Sequence, residues 1–510
     1  MKRIAAALSL LAALSLNDTL LFEARAQVNE VRAYRQSREA EIIDELFEFL
    51  SIPNVASDSA NIRRNAEMLQ EMMRRRGIDT RLLESKGSPA VFGELKAPGA
   101  SLTIGFYAHY DGQPVDATKW ASEPFKPVLR ERALEAGGRV IELPPRGKAF
   151  DPEWRIYARS ASDDKSPIVA MLVALDALKA AGKRPSVNLK FLFDGEEEAG
   201  SPNLKEIAER NKSLLAADAW ICADGPVHQT RKPLVYFGAR GIVTADITVY
   251  GANRALHSGH YGNWSPNPAM MLARLLAGMK DESGRVLIEG FYDDVVPLAT
   301  MEKRALADAP DTDSELMREL GLSGAEGGGR KLVELINEPS LNIDGIRSEY
   351  VGREARTIIP AEATATLDLR LVKGVDPRRQ VDRLVAHIKK QGYFVTDKEP
   401  DSEMRLKHPK IARVAMREGA GYRAVRTSME LAVSQKVIRA AERAAGEKIV
   451  LMPTLGGSVP LWILEDATGA PQIGVPMVNH DNNQHSSNEN LRIENLWYGI
   501  ELYAALMTMN

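Results

Sequence analysis

Cysteine is nearly missing from this chain: Cys222 is the only one in 510 residues. No internal disulfide can form, so stability must come from burial, with metal binding as the available supplement. The setting of that cysteine, Ala219-Trp-Ile-Cys-Ala223, is apolar and reads as a buried structural thiol, not a nucleophile. An excess of either charge is missing as well. The 66 Lys and Arg against 69 Asp and Glu leave a net charge of −3 with no basic stripe, which excludes the electrostatic footprint of a nucleic-acid-binding protein. There is no internal repeat, no biased tract, and no apolar run long enough to cross a membrane.

The first 26 residues differ from the rest. Lys2 and Arg3 precede an uninterrupted stretch of Ile, Ala, Leu and Ser from Ile4 to Leu16, and Ala24-Arg25-Ala26 offers a small-x-small cleavage pattern. We read residues 1–26 as a signal peptide and expect an exported protein, periplasmic or secreted. The remaining length exceeds what one hydrophobic core usually supports, so two domains are expected.

Periodicity supplies the coarse organisation. Glu39 to Leu50 is spaced as an amphipathic helix that Ser51-Ile-Pro53 stops, and Arg63 to Arg76 repeats that spacing. Leu102–Phe106 and Val187–Phe193 alternate as strands. Between them Ser166 is the expected N-cap of a helix with Pro167 at its first position, running through Ile168 to Ala180. This is an α/β pattern with helices on both faces of a sheet. From about Gly238 the clean alternation of Val243–Val249 and Ala363–Leu371, with a helix at Pro377–Lys390, indicates an inserted α+β module. The expected division is 27–239 and 402–510 for the first domain and 240–401 for the insertion. A final helix covers Ile493–Met507, and Arg132–Trp154 and Gly327–Gly329 read as surface loops.

Acidic and imidazole residues fall at the ends of expected strands or in adjoining loops, with Asp163-Asp164 directly before a helix. These are His109 and Asp111, Asp163 and Asp164, Glu196-Glu197-Glu198, Asp224, and His485 in Asn483-Gln-His-Ser-Ser-Asn-Glu489. In open α/β sheets such positions gather at the carboxyl ends of the strands. A pair of hydrolytic metal ions needs a bridging carboxylate, terminal ligands on each side, and a further carboxylate to take a proton from water. His with Asp and Glu, and no thiolate, suits Zn, Mn or Co without choosing among them.

The order of these motifs resembles the co-catalytic metallohydrolases that include carboxypeptidase G, the aminoacylases, acetylornithine deacetylase, succinyl-diaminopimelate desuccinylase and the carnosinase-type dipeptidases. The resemblance rests on His109-Tyr-Asp-Gly-Gln-Pro, Ser162-Asp-Asp-Lys, Glu197-Glu-Ala-Gly-Ser201, Leu256-His-Ser-Gly259, Gly456-Gly-Ser458 and His485-Ser-Ser-Asn-Glu489. It implies a metallopeptidase-type α/β catalytic domain with a mixed sheet flanked by helices, plus an inserted α+β lid or dimerisation domain. It implies two divalent ions per subunit, with Zn the first expectation. His109, Asp163 and Asp224 would hold one and Asp163, Glu198 and His485 the other. Glu197 matches the general base, Asp111 the carboxylate orienting His109, and the Asp163–Asp164 peptide is expected to be cis.

In the inserted module the resemblance implies that His257, with His260 as its rival, reaches across a homodimer to the partner's site and stabilises the oxyanion. Arg370, Thr357, Gly457 and Ser458 match residues that bind the substrate carboxylate. The implied activity is hydrolysis of an amide bond in a small carboxylate-bearing substrate. The joint presence of Ser162-Asp-Asp-Lys, Leu-His-Ser-Gly and Arg370 leans toward a dipeptidase or carboxypeptidase, with an N-acyl-amino-acid deacylase as the alternative. An inactive exported peptide- or metal-binding protein is the reading from another class, and no ligand or base is missing to favour it. Two departures stand out: Ser166-Pro167 follows Asp-Asp-Lys where glycine is usual, and a long stretch separates Asp111 from Asp163.

Overall fold

The computed structural model describes residues 28–509, with Glu418, Gly419 and Ala420 described by backbone only; the expected signal peptide, 1–26, lies outside the described residues. The chain forms two compact units. The first comprises residues up to Phe237, Thr427–Leu451 and Ile463 onward, and the second Gly238–Arg426 with Met452–Trp462.

An eight-stranded mixed sheet organises the first unit. In chain order its strands are β1 (Asp79–Leu83), β2 (Ala90–Leu95), β3 (Thr103–His109), β4 (Asn188–Asp194), β5 (Ala219–Cys222), β6 (Leu234–Tyr236), β7 (Val450–Met452) and β8 (Gln472–Gly474). Across the sheet the order is β1-β2-β4-β3-β5-β8-β6-β7. The four central strands β4, β3, β5 and β8 run parallel, so their carboxyl ends share one edge. β3 and β4 are almost wholly buried, as strands covered on both faces are, although their sequences alternate as if one face were wet. The helices Lys165–Ala180 and Ile493–Met507 pack against each other and are buried nearly all round. Glu39–Leu50 packs on the first of these and Ala432–Ala445 on the second.

The helix after the Asp-Asp pair starts earlier than expected. Its N-cap is Asp164, not Ser166, and Lys165 is its first residue. Lys165 Nζ donates to the carbonyls of Phe49 and Ile52, which draws that residue into the fold, and Pro167 still sits where no intrahelical N–H is needed. The expected surface loop Arg132–Trp154 is partly ordered into a sheet: Val140–Ile141 pairs with Val128–Arg130, which pairs with Arg155–Tyr157, which pairs with Asn490–Arg492.

The second unit is built on a five-stranded sheet in the order Ser340–Arg347, Glu362–Leu371, Gly241–Tyr250, Ile411–Tyr422, Phe394–Thr396. The helices Pro268–Ala277 and Pro377–Lys390 pack against it around a core that includes Val243, Ile247, Leu367, Leu272 and Leu384. The unit does not end at 401 as expected. Ile411–Tyr422 pairs antiparallel with Gly241–Tyr250 from Tyr250↔Ile411 to Ile242↔Tyr422, which carries the unit to Arg426. Gly457 and Ser458, expected in the first domain, belong to this unit too.

One glycine fixes how closely the central strands of the first unit approach. Gly105 on β3 lies opposite Trp220 on β5, and a Cβ there would run into the indole, which is fully buried. We expect Gly105→Ala to destabilise the protein by about 1–3 kcal/mol through overpacking. A lower urea midpoint at unchanged slope would show it, and an unchanged midpoint would refute it.

Candidate metal centre

The parallel register delivers the acidic residues to one place. β3 ends on His109, β4 is followed by Glu196–Glu198, β5 by Asp224, and β8 by the loop that carries His485. The fifth contributor, Asp163, precedes the buried helix Lys165–Ala180, and its bond to Asp164 is cis. Two groups of donors result, His109 with Asp163 and Asp224, and Asp163 with Glu198 and His485. Within each group the donor atoms lie within 4.8 Å of one another, and Asp163 belongs to both.

Asp163 spreads its two oxygens between the groups. Oδ1 is 2.8 Å from His109 Nε2, and Oδ2 is 3.2 Å from His485 Nε2, which is itself 3.2 Å from Glu198 Oε2. His109 turns its other nitrogen to Asp111, 3.2 Å from the carbonyl and 3.4 Å from Oδ1. Asp111 also accepts from the backbone N–H of Glu197 at Oδ1 (3.0 Å) and of Glu198 at Oδ2 (3.1 Å). One buried carboxylate thus orients the imidazole and fixes the Glu-Glu turn. Asp194 secures the same turn from below, accepting from Glu196 N–H and Ser201 Oγ.

Crowding shifts these groups strongly. Burial holds Glu197 well above the usual carboxylate range; the charges of Asp224, Asp163 and Asp111 add to this, and His109 opposes it. Burial and the Asp163 charge push Glu198 to about 7 and Asp224 to about 6. Asp163 goes the other way, because the bonds from His109 and His485 outweigh its burial. His485 is raised to about 9, chiefly by its bond to Asp163. Burial opposes charge on His109, yet its bonds to Asp111 and Asp163 raise it well above the imidazole value.

The donor set fits a pair of hard or borderline divalent cations: three carboxylates and two imidazoles, no thiolate, and a shared Asp. Glu198 Oε1 is buried without a hydrogen-bond partner among the described residues, an orphan acceptor that a cation would satisfy.

The second unit holds the other expected residues. His257 pairs with Ile358 across a short ladder, and Ser258 N–H donates to the Thr357 carbonyl. His257 Nδ1 accepts from Gly259 N–H at 3.1 Å, which in the neutral ring leaves the proton on Nε2. The His260 ring lies 4.5 Å away, centroid to centroid. Arg370 donates through Nε to Asp368 (3.0 Å) and through one terminal nitrogen to Ser458 Oγ (3.0 Å). Ser458 Oγ in turn donates to the carbonyl of Arg240, whose own N–H meets the Gly457 carbonyl.

Three contributors were not assigned from sequence. Gln113 donates to Glu198 Oε2 at 2.7 Å, Arg240 lies behind Ser458, and Glu489 collects the loop that carries Asp163. Gln113 and Glu489 stand inside motifs already singled out, which was the available signal.

Comparison with known proteins places this geometry. Residues 105–509 match the model of Peptidase family M20/M25/M40. The chain is 27% identical over 486 residues to the Cys-Gly metallodipeptidase dug1 of Schizosaccharomyces pombe, covering 91% of this chain and 94% of that protein. It is 27% identical over 432 residues to human Beta-Ala-His dipeptidase, covering 82% and 76%. The M20 family metallo-carboxypeptidase Sso-CP2 from Sulfolobus solfataricus superposes with a TM-score of 0.74 at 28% identity, covering 92% of this chain and 98% of that one.

The raised carboxyls predict an inverted pH dependence. Cation binding requires Glu198 and Asp224 ionised, so affinity should weaken as pH falls from about 7.5 to 5.5. Without cations the folded state holds these protons up to about 7 and 6 while the unfolded chain releases them near 4, so acidification over that window should stabilise the metal-free protein. Melting curves in chelator should rise as pH falls, and Glu198→Gln should lose part of that gain. Parallel curves for the two proteins would refute the assignment.

Proposed function

Because the chain belongs to Peptidase family M20/M25/M40, we propose that it is a dinuclear metallohydrolase cleaving the amide bond of a dipeptide or short peptide with a free carboxylate. The observation that carries this reading is the pair of donor groups sharing Asp163, the first of them wholly buried, with the Glu197 carboxyl beside them. His109, Asp163 and Asp224 would hold one ion and Asp163, Glu198 and His485 the other, with zinc the first expectation and Mn or Co the alternatives. When bound, such a pair supplies Lewis acidity and lowers the pKa of water at the site.

The chain's own residues do the rest. Glu197 takes a proton from the attacking water on its carboxylate and returns it to the leaving amine nitrogen. Asp111, by holding Glu197 N–H and the His109 ring together, keeps base and ligand in register. His257, with its proton on Nε2, donates to the oxyanion, and Arg370, steadied by Asp368 and Ser458, takes the substrate carboxylate, with Thr357 and Gly457 beside these groups. Homodimerisation, with His257 serving the partner's site, is supported by the edge strand Ser340–Arg347, where Ile343 and Ile346 are 43% and 62% exposed, and by Trp264 at 80%. Residues 1–26 complete the reading as an export signal. No helix among the described residues is long and apolar enough to cross a membrane.

The decisive experiment takes protein lacking residues 1–26, strips it of metal, resupplies Zn²⁺, Mn²⁺ or Co²⁺, and offers dipeptides and N-acetyl amino acids. Metal-dependent loss of dipeptides supports the proposal. Loss of N-acetyl amino acids alone would make it a deacylase, and no hydrolysis with two ions bound would sink the reading. Glu197→Gln should keep both ions and lose roughly 10²–10⁴ in kcat. His257→Ala should lose roughly 10²–10³, and His260→Ala much less. Mixing Glu197→Gln with His257→Ala should restore activity that neither has alone, because one hybrid site is then complete; absence of complementation would place His257 in its own subunit's site.

A further inference from the structure

The side chain of the last residue of the His485 motif accepts five hydrogen bonds, and nothing in the proposed chemistry uses it. Glu489 is fully buried. Its Oε1 accepts from Ser162 N–H, Ser162 Oγ and Asp163 N–H, each at 2.9 Å. Its Oε2 accepts from Ser160 N–H at 2.9 Å and from Arg159 at 2.7 Å. The same arginine reaches back to the Ser486 carbonyl at 3.1 Å and lies over the Trp120 ring, and Ala158 N–H donates to the Glu489 carbonyl. One carboxylate therefore gathers the backbone of 160–163 onto the loop 485–489.

Both loops need such a fastening. Ser160, Asn483, His485 and Asn488 all have positive φ, between 55° and 62°, a region that side-chain-bearing residues rarely occupy. Conformations of this kind persist only where surrounding contacts over-determine them. The two loops carry Asp163 and His485, two of the three donors of the second group. The first group draws His109 from the end of β3 and Asp224 from just after β5, so two of its three donors rest on the sheet.

From this asymmetry we infer that Glu489 is a positioning residue that holds Asp163 against His485 and so sets the affinity of the second cation position, leaving the first largely to the sheet. The inference rests on the dinuclear reading above. Glu489 acts through the N–H groups of Ser160, Ser162 and Asp163 and not through a metal-donor side chain. An amide in its place keeps one acceptor oxygen but turns an N–H₂ toward Ser160 N–H and the Arg159 guanidinium, donor against donor.

The test is cation binding to the full folded chain, followed by calorimetry and by the Co²⁺ absorption spectrum as the metal-free protein is titrated. Wild type should take two Co²⁺ per chain. Glu489→Gln should keep the tighter event and weaken the other by about 10- to 100-fold, the usual effect of removing a partner behind the ligands. Glu489→Asp should fall between the two. Unchanged binding of both ions in Glu489→Gln, or equal weakening of both in a folded variant, overturns the inference. Should Glu489→Gln fail to fold, Ser162→Ala carries the test, since it removes only the hydroxyl bond to Oε1. It must show the same selective weakening at smaller size, and equal affinities with wild type overturn the proposal. Fewer than two ions in wild type would instead overturn the dinuclear reading itself.

Discussion

Like charges confined together are the constraint on which the first unit depends. Asp111, Asp163, Asp224, Glu197 and Glu198 converge at the end of one sheet, largely out of water, and burial together with the neighbouring Asp163 charge raises the pKa values of Glu197, Glu198 and Asp224. A fold spends stability to hold such a group, because ionised carboxylates in a poorly solvated place are costly unless compensated. Part of the compensation is internal. Asp111 is answered by two backbone N–H groups, and Asp163 by two imidazoles. The Glu198 and Asp224 carboxyls stay raised, to about 7 and about 6, even though Gln113 donates to Glu198, and cations held there would supply the remaining compensation.

The scaffold that tolerates this is correspondingly apolar. Helices Lys165–Ala180 and Ile493–Met507 are buried almost all round, and β3 and β4 are covered on both faces. The parallel run β4-β3-β5-β8 then sets donors from distant parts of the chain at a common edge, and the close approach of β3 and β5 over Gly105 fixes how near they come. Asp163 is the exception, since no strand of the large sheet ends on it. It is carried at the mouth of a helix, and its placement falls to hydrogen bonds, which is why a buried glutamate more than three hundred residues away in sequence is tied to its backbone.

What the sequence made legible follows the same division. Elements that rest on periodicity were readable: Glu39–Leu50, Pro377–Lys390 and Ile493–Met507 run between the residues that the apolar spacing and the flanking proline indicated. Four of the candidate donors, His109, Asp163, Glu198 and His485, stand in ordered motifs, whereas Asp224 stands in none, and no spacing shows that Asp224 and His485 both approach Asp163. Features fixed by long-range pairing were not. The second unit was expected to end at 401 because nothing local in Ile411–Tyr422 says that it pairs with Gly241–Tyr250, and the membership of Gly457 and Ser458 in that unit depends on the same tertiary choice. The helix start at Asp164 was hidden behind Ser166-Pro167, a good capping signal overridden by the anchoring of Lys165. Gln113 and Glu489 lay in view but without roles, since a residue whose work is to satisfy another loop's backbone has no local pattern to betray it.

The second unit answers a different physical need from the first, and this bears on why a substrate of the proposed kind would be small and carboxylate-bearing. A cation pair polarises any amide that reaches it and discriminates poorly between acyl groups. Selection must come from groups whose positions are fixed before the substrate arrives, because each side chain ordered only on binding subtracts from affinity. Arg370 meets that condition, with Nε on Asp368 and a terminal nitrogen on Ser458, whose hydroxyl is itself fixed on the Arg240 carbonyl. Its plane is set in advance, as recognition of a carboxylate by a guanidinium requires. His257 is fixed in a second sense, through its tautomer, by a bond from the backbone two residues on. In the proposed enzyme one unit would therefore supply reactivity from crowded charge, and the other selectivity from polar groups already locked in place.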